Sequence, residues 1–234
     1  MKYLLILSLL LFTVNAEEKF GKLIFQDDFE RSESQEKKDE LGNDWTTSSD
    51  RTAEGNKQVD LRDGHMYIST HKVAWHATSV RHTFEFKDGT LGLKVMFDDT
   101  KDSLRLNFTD LKEKSVHAGH LFHVTLSPTA LKFDDLKTGR MNLEIVKSRK
   151  SKTLTNEQKA MLSKKTHSIT NKLENGKWHQ IYATVKGDVV TCTINGKLIG
   201  SFKSPGIAHK SKSMIRLVVD KNAHVDEVRV WRKN

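Results

Sequence analysis

The clearest structural signal in this sequence is an alternation of polar and apolar side chains at residues 103–109. The stretch reads Ser103-Leu104-Arg105-Leu106-Asn107-Phe108-Thr109. In a β-strand, successive side chains point to opposite faces. The alternation therefore predicts a strand that turns its leucine and phenylalanine side chains towards a core and keeps a polar row on the other face.

Similar patterns predict strands along most of the chain. They cover residues 23–29, 58–70, 78–86, 90–97, 120–127, 130–134, 178–186, 188–194, 197–202, 214–219 and 224–231. Asn195-Gly196 separates two of these segments and is a dipeptide favoured in tight type I′ hairpins. Because some eleven or twelve strands occur without alternating helices, we expect an all-β fold in which two antiparallel sheets form a sandwich or jelly roll.

One segment, at about residues 137–172, departs from the strand pattern. Thr155 and Gln158 have the spacing of a capping box, which predicts a short helix over about residues 156–165. The stretch 147–152 has no alternating apolar row, so as a strand it would have nothing to bury. We expect an insertion that carries one short helix and lies outside the core of either sheet.

The beginning of the chain has the features of a secretory leader. Lys2 precedes a largely apolar run over residues 3–14, and Val14-Asn15-Ala16 has the small residues of a cleavage site. Only two prolines and thirteen scattered glycines occur, so no flexible linker divides the chain. We expect a signal peptide at 1–16 and one exported domain at 17–234, periplasmic or at the cell surface, without a membrane span.

The positive charge of the chain is concentrated in the insertion. The formal net charge is +9, and residues 137–172 contain ten basic and two acidic residues. An exported protein rarely meets nucleic acid, so the expected partner of this charge is an anionic glycan, an acidic cell-wall polymer or lipid headgroups. Arg149, Lys150 and Lys152 form the candidate anionic-polymer patch. The alternative is a solvated insertion with no partner.

Several motifs resemble those of one superfamily. They are the segments 23–29 (Leu-Ile-Phe-Gln-Asp-Asp-Phe), 41–45 (Leu-Gly-Asn-Asp-Trp), 59–68, 176–197 with Gly176-Lys177-Trp178 and Asn195-Gly196, and 225–231 (Val-Asp-Glu-Val-Arg-Val-Trp). Together they resemble the concanavalin A-like superfamily of lectins, laminin-G modules and glucanases. Within it, the chain resembles exported proteins of planctomycete-type bacteria that are related to the 3-keto-disaccharide hydrolase domain. The resemblance implies a jelly roll and a carbohydrate-related function.

The sequence departs from the glucanases of this superfamily at their catalytic strand. Those enzymes carry an E-x-D-x-(x)-E motif, because one carboxylate attacks while another protonates the leaving oxygen. The nearest acidic clusters here, 98–102 and 134–135, lack glutamates at alternating positions. We therefore do not expect glucanase-type hydrolysis.

The best candidate for a glycan site lies around Trp75. Glycan recognition needs an aromatic platform for the apolar face of the sugar and polar groups for its hydroxyls. His71, Trp75 and His76 lie between two predicted strands, Arg81 is on the next strand, and His120 begins another. The alternative is that Trp75 merely folds over a sandwich edge.

Metal binding is a weaker expectation. His117, His120 and His123 have regular spacing, but on a strand His120 and His123 would point to opposite faces, so we do not expect a zinc site. The resemblance implies that the first and last strands meet and share a calcium ion, for which Asp28 and Asp226 are the candidate ligands. No other cofactor is expected.

Three functions follow from these features. The first is a non-catalytic carbohydrate-binding module that holds a glycan on the concave sheet. The second is an enzyme, a glycoside hydrolase or lyase of the 3-keto-disaccharide hydrolase type, in which a histidine such as His76 acts as general base beside Arg81. The third is a structural surface protein that uses the sandwich only as a scaffold.

Overall fold

The structure, a computed structural model, describes residues 19–233, and the expected leader lies outside this range. The strands are β1 (Lys22–Asp27), β2 (Val59–Arg62), β3 (His65–Ser69), β4 (Thr78–Phe86), β5 (Asp88–Met96), β6 (Leu104–Thr109), β7 (His120–Leu126), β8 (Ala130–Asp135), β9 (Thr166–Thr170), β10 (His179–Lys186), β11 (Val189–Ile194), β12 (Lys197–Lys203), β13 (Lys212–Val219) and β14 (Asn222–Lys233). The α-helices are α1 (Ser49–Thr52), α2 (Leu143–Lys150) and α3 (Asn156–Ser163). Single 3-10 turns occupy His117–Gly119 and Pro205–Ala208.

The strands form two antiparallel sheets. One sheet has the order β12-β11-β10-β5-β14-β3-β2, and β1 pairs with the second half of β14. The other sheet has the order β4-β13-β6-β7-β8-β9. The predicted sandwich of jelly-roll type is confirmed, and the first and last strands do meet.

The alternation at residues 103–109 sets the orientation of the six-stranded sheet. Leu104, Leu106 and Phe108 are fully buried and belong to the core between the sheets. Phe108 stacks on Phe122 of β7 with ring centroids 4.6 Å apart. The opposite face of this sheet, which we call the outer face, carries the polar side chains of β6.

The hairpins follow the expected chemistry, with one addition. Asn195 and Gly196 have φ values of 50° and 80° and join β11 to β12 as predicted. The predicted strand at 58–70 is instead a hairpin, β2 and β3, because Asp63 and Gly64 also adopt positive φ and reverse the chain. Asp-Gly is a turn dipeptide of the same class, so the sequence did contain this signal.

The insertion contains more regular structure than one helix. The capping box at Thr155 and Gln158 is present, and it begins the predicted helix as α3. A second helix, α2, precedes it. Its N-cap residue is Asn142, whose side chain accepts a hydrogen bond from the backbone of Glu144. The insertion also supplies β9 at the edge of the six-stranded sheet, where Ile169 packs against the core. No helix within residues 19–233 is long and apolar enough to cross a membrane.

Candidate functional site

A row of polar side chains crosses five strands of the outer face. The strand register places Arg81 of β4 opposite Arg216 of β13, Arg216 opposite Asn107 of β6, Asn107 opposite His123 of β7, and His123 opposite Asp134 of β8. Directly opposite residues of antiparallel strands have Cβ atoms about 4.5–5.5 Å apart. The row therefore forms a continuous polar strip, which we call the polar row.

A β-bulge brings His120 to the same face. Phe108 pairs with Phe122 and the next residue, Thr109, pairs with His120, so that Leu121 is an extra residue in β7. A bulge changes the face to which the following side chains point. His120 and His123 consequently lie on one face, and the expectation that they point to opposite faces was wrong. Among residues 19–233 they still do not form a cluster of three metal ligands with His117.

The polar row forms part of the floor of a cavity of about 350 Å³. The charged and aromatic side chains that line it are Arg51, Arg81, Arg105, Arg140, Arg216, His76, His117, His120, His123 and Trp75. No aspartate or glutamate from the described residues lines it. The cavity is thus strongly basic and open to solvent at the side of Trp75, of which 68% is exposed.

His123 and Asp134 form a buried pair. The Nε2 atom of His123 lies 2.7 Å from Oδ2 of Asp134, and both side chains are almost inaccessible to solvent. Burial lowers the pKa of His123, and although burial alone would raise the pKa of Asp134, the bond from His123 lowers it. A neutral imidazole whose proton is held on Nε2 by a carboxylate has an unprotonated Nδ1, which is the arrangement of an oriented general base.

His120 is held by Asn107 and Arg216. Its Nε2 atom lies 3.4 Å from Nη1 of Arg216, and Arg216 also donates to the carbonyl of Ala118 at 2.9 Å. Burial, together with the charge of Arg216, lowers the pKa of His120 to about 3. The ring is therefore neutral and a weak base. Nδ1 of the ring lies 2.9 Å from Nδ2 and 3.3 Å from Oδ1 of Asn107, so the side-chain amide of Asn107 holds this nitrogen.

The low pKa of His120 predicts a pH-dependent loss of stability. Below its ordinary pKa of 6.5 the unfolded chain binds a proton that the folded chain excludes until about pH 3, so stability falls as the pH drops through this window. We expect His120→Asn to reduce the slope of the unfolding free energy against pH by up to about 1.4 kcal/mol per pH unit. Urea unfolding of both proteins at pH 7, 6 and 5 measures the difference. Equal slopes would contradict the placement of a neutral His120.

Four of the five residues expected at a glycan site come together. Trp75, His76, Arg81 and His120 all line the cavity. Trp75 Nε1 donates to the carbonyl of Arg51 at 3.2 Å, and the Arg51 guanidinium lies 5.9 Å from the ring centroid. His71 does not line the cavity, since it lies in the turn after β3, where its backbone N–H donates to Gln58.

The sequence alone did not indicate that Arg216, Asn107, His123 and Asp134 lie side by side in the polar row. Arg105 and Asn107 were visible as the polar side of the alternation in β6. Arg216, His123 and Asp134 come from three other strands, and only the strand register brings them together. Arg216 is a charged residue between the buried Ile215 and Leu217, which was the one local signal that it lies on a polar face.

The basic insertion adjoins this cavity. Arg149 and Lys150 at the end of α2, together with His117 and Met141, line a second depression of about 360 Å³. His117 and Met141 also line the first cavity. Lys152 is exposed beyond the helix end. Two of the three residues of the anionic-polymer patch thus line a depression that shares two residues with the candidate site.

Among residues 19–233, no cluster of possible ligand side chains surrounds Asp28 or Asp226, the predicted calcium ligands. Asp28 is exposed and accepts a bond from the backbone of Glu30, and Asp226 accepts one from the backbone of Glu227. Within residues 19–233 neither belongs to a group of three or more possible ligand side chains. The group of this kind found among the described residues, Glu33, Glu36 and Asp60, surrounds the ammonium of Lys57 instead. Calcium takes about six to eight oxygen ligands, which include backbone carbonyls and water, so calcium binding at Asp28 and Asp226 stays a prediction.

Comparisons with known proteins agree with the fold and add a family. The family model of the 3-keto-alpha-glucoside-1,2-lyase-like domain matches residues 36–233. A sequence comparison with curated proteins finds no significant match. The matched residues cover most of the chain, so the predicted resemblance to the 3-keto-disaccharide hydrolase domain is confirmed.

Several solved structures with a similar fold are carbohydrate-related proteins. SCLam, a non-specific endo-beta-1,3(4)-glucanase from family GH16, is 12% identical with a TM-score of 0.60, and 91% of each chain is covered. The carbohydrate-binding module CBM66 from Bacillus subtilis is 11% identical with a TM-score of 0.51, covering 79% of this chain and 93% of the module. LamA from Z. galactanivorans, in complex with laminaritriose and laminaritetraose, is 11% identical with a TM-score of 0.54, covering 91% and 100%. Identities this low show the fold alone, and the shared fold agrees with the predicted jelly roll.

Proposed function

The chain belongs to the family of 3-keto-alpha-glucoside-1,2-lyase-like domains, and from this premise we propose that it cleaves a 3-keto saccharide bound over the polar row. The observation that carries the proposal is the His123–Asp134 pair at the floor of an arginine-lined cavity. A carbonyl at C3 acidifies the proton at C2, so the reaction needs one oriented base and one cationic group for the developing negative charge.

The proposed step is an elimination. Nδ1 of His123 takes the proton from C2, and the electrons of that bond form a double bond between C1 and C2 as the bond from C1 to the leaving oxygen breaks. The leaving oxygen takes a proton from water or from His76 at the cavity wall. Arg216 or Arg81 donates to the C3 oxygen while it carries negative charge. Asp134 holds the tautomer of His123 and stabilises the imidazolium that forms.

The product is a conjugated enone, and its absorbance provides the test. The purified protein is incubated with a 3-keto glucoside and with the native glucoside of the same aglycone. We expect ultraviolet absorbance of the enone and release of the aglycone from the 3-keto substrate alone. Hydrolysis of the native glucoside, or no turnover of several 3-keto glucosides, would contradict the proposal.

A second candidate function is binding without catalysis, and the exposure of Trp75 favours it. An indole of which 68% is exposed, at the edge of a polar cavity, is a stacking platform for a sugar ring. For either function we also propose that the protein is exported, since residues 1–16 have the pattern of a leader.

We expect Trp75→Ala to weaken saccharide binding at least fivefold, which corresponds to about 1 kcal/mol. Calorimetric titration with the saccharide that the wild-type protein binds measures the loss. Trp178→Ala is the matched control, because Trp178 is also exposed but contacts His65 and His224 of the other sheet. Equal losses in both variants would show that Trp75 has no particular role in binding.

A further inference from the structure

Two arginines of the polar row stand side by side without an acidic partner. Arg81 and Arg216 occupy directly opposite positions of β4 and β13. Like charges at such positions destabilise a sheet. Neither forms a salt bridge with any residue of 19–233, and the same holds for Arg51 and Arg140 of the cavity wall. Four guanidinium groups around one cavity therefore form no direct ion pair with a carboxylate of the described residues.

Their hydrogen bonds are also incomplete. The Nε atoms of Arg216 and Arg140 are buried and have no hydrogen-bond partner within the described chain. A buried donor left unpaired destabilises the folded state, and a charged one does so more strongly. Burial and the charges of Arg81 and Arg51 lower the pKa of Arg216 to about 10, which shows how closely the positive charges are placed. An anion bound beside Arg216 would neutralise part of the positive charge and would accept hydrogen bonds from unpaired N–H groups.

The cavity offers many donors and few acceptors. A guanidinium has five N–H donors and no acceptor, whereas a sugar hydroxyl both donates and accepts. Around the arginines, the side-chain acceptors of the described chain are uncharged groups such as the Asn107 amide, the histidine rings and the Ser79 hydroxyl, and Ser79 already accepts from Arg81. A carboxylate or a sulfate group accepts only, and it pairs with arginine through two parallel bonds.

We infer that the saccharide bound at this site carries a negative charge, as a uronate carboxylate or a sulfate ester, which lies between Arg81 and Arg216. This inference rests on the proposed function, because it assigns the substrate class of the same cavity. The charge that develops at C3 needs only some of the N–H donors of one guanidinium, so donors of both arginines are left for a charge that the substrate already has. The adjoining depression at Arg149 and Lys150 suits a neighbouring acidic residue of the same glycan.

Matched pairs of saccharides test the inference. The probes are trigalacturonic acid against its methyl ester, and sulfated laminaritriose against laminaritriose. Calorimetric titration of the wild-type protein is expected to show at least about tenfold tighter binding of the acidic member of one pair, and the pair that responds identifies the acidic group. This preference should decrease as salt is raised to about 0.15 M, where charges are screened beyond about 8 Å.

Substitutions assign the preference to the polar row. Arg216→Met and Arg81→Met should each reduce the acidic preference, which is the ratio of the dissociation constants of the neutral and acidic members, to about twofold or less, whatever their effect on the neutral member. Arg232→Met is the control, since it removes the same charge from an exposed position at the end of β14. Equal binding of acidic and neutral members by the wild-type protein, or an unchanged preference in both variants, would overturn the inference. Should one variant not fold, the other variant and the wild-type comparison decide.

The outcomes also separate this inference from the proposed reaction. Turnover of 3-keto glucosides without any acidic preference would refute the charge assignment alone. An acidic preference that Arg216→Met removes, without turnover of any acidic or neutral 3-keto saccharide, would refute the reaction and support the charge assignment.

Discussion

Replacing His123 with alanine is expected to slow the cleavage of 3-keto saccharides by about 10²–10⁴-fold, the contribution of a positioned general base. The reason is structural: His123 is the cavity histidine that a carboxylate orients, through the 2.7 Å bond to Asp134. The affinity for the substrate should change little, because the buried ring offers one nitrogen to the reacting proton and little contact area. Initial rates from enone absorbance, with a separate titration of binding, measure both quantities.

His76→Ala and His117→Ala serve as controls for this prediction. His76 is exposed, and its Nδ1 atom lies 3.0 Å from the carbonyl of Ala77, which leaves Nε2 open to the cavity. Its loss should reduce the rate only as far as it supplies the leaving-group proton. A large loss of turnover in His76→Ala together with normal turnover in His123→Ala would assign the base to His76 and contradict the role given to the buried pair.

Asp135→Ala is expected to lower the free energy of unfolding by about 3–5 kcal/mol, as removal of one partner from a buried charged cluster does. Asp135 is buried and accepts hydrogen bonds from Thr138, from the Ser204 hydroxyl and from the backbone of Gly206. It fixes the 3-10 turn that starts at Pro205 against the end of β8, next to Asp134. Without the carboxylate these buried donors have no acceptor.

Urea unfolding measures this loss, with Asp28→Ala as the control. Asp28 is exposed and accepts one bond from the backbone of Glu30, so its loss should cost less than about 1 kcal/mol. Comparable losses in the two variants would show that the Asp135 cluster does not hold the end of β8.

The sequence predicted the layers of the fold because period-two patterns and turn dipeptides are local. Leu104, Leu106 and Phe108 identified the buried face of β6, and Asn195-Gly196 identified a hairpin, from a few residues each. The helix α2 was missed since its single N-cap, Asn142, precedes residues without a marked apolar face, of which only Ile145 is buried.

The site could be predicted only in part, because it depends on long-range pairing. β13 lies between β4 and β6, although more than 100 residues of sequence separate it from β6, and this order places Arg216 beside both Arg81 and Asn107. The bulge at Leu121 has no local signature, yet it decides the face on which His120 lies. The period-two pattern predicts the face of the strand on which each residue lies. Which residues become neighbours depends on the strand register, and no single segment of the sequence determines that register.

Loss of deuterium from C2 of a 3-keto glucoside tests most directly whether the polar row performs chemistry. The substrate is labelled at C2 and incubated with the wild-type protein, and the label is followed by NMR together with release of the aglycone. We predict that the label and the aglycone are lost together, and that His123→Ala slows both losses by about 10²–10⁴-fold while the substrate still binds. Tight binding of the labelled substrate by the wild-type protein, with the label retained at C2, would contradict the lyase reaction. It would support the second candidate function, binding without catalysis.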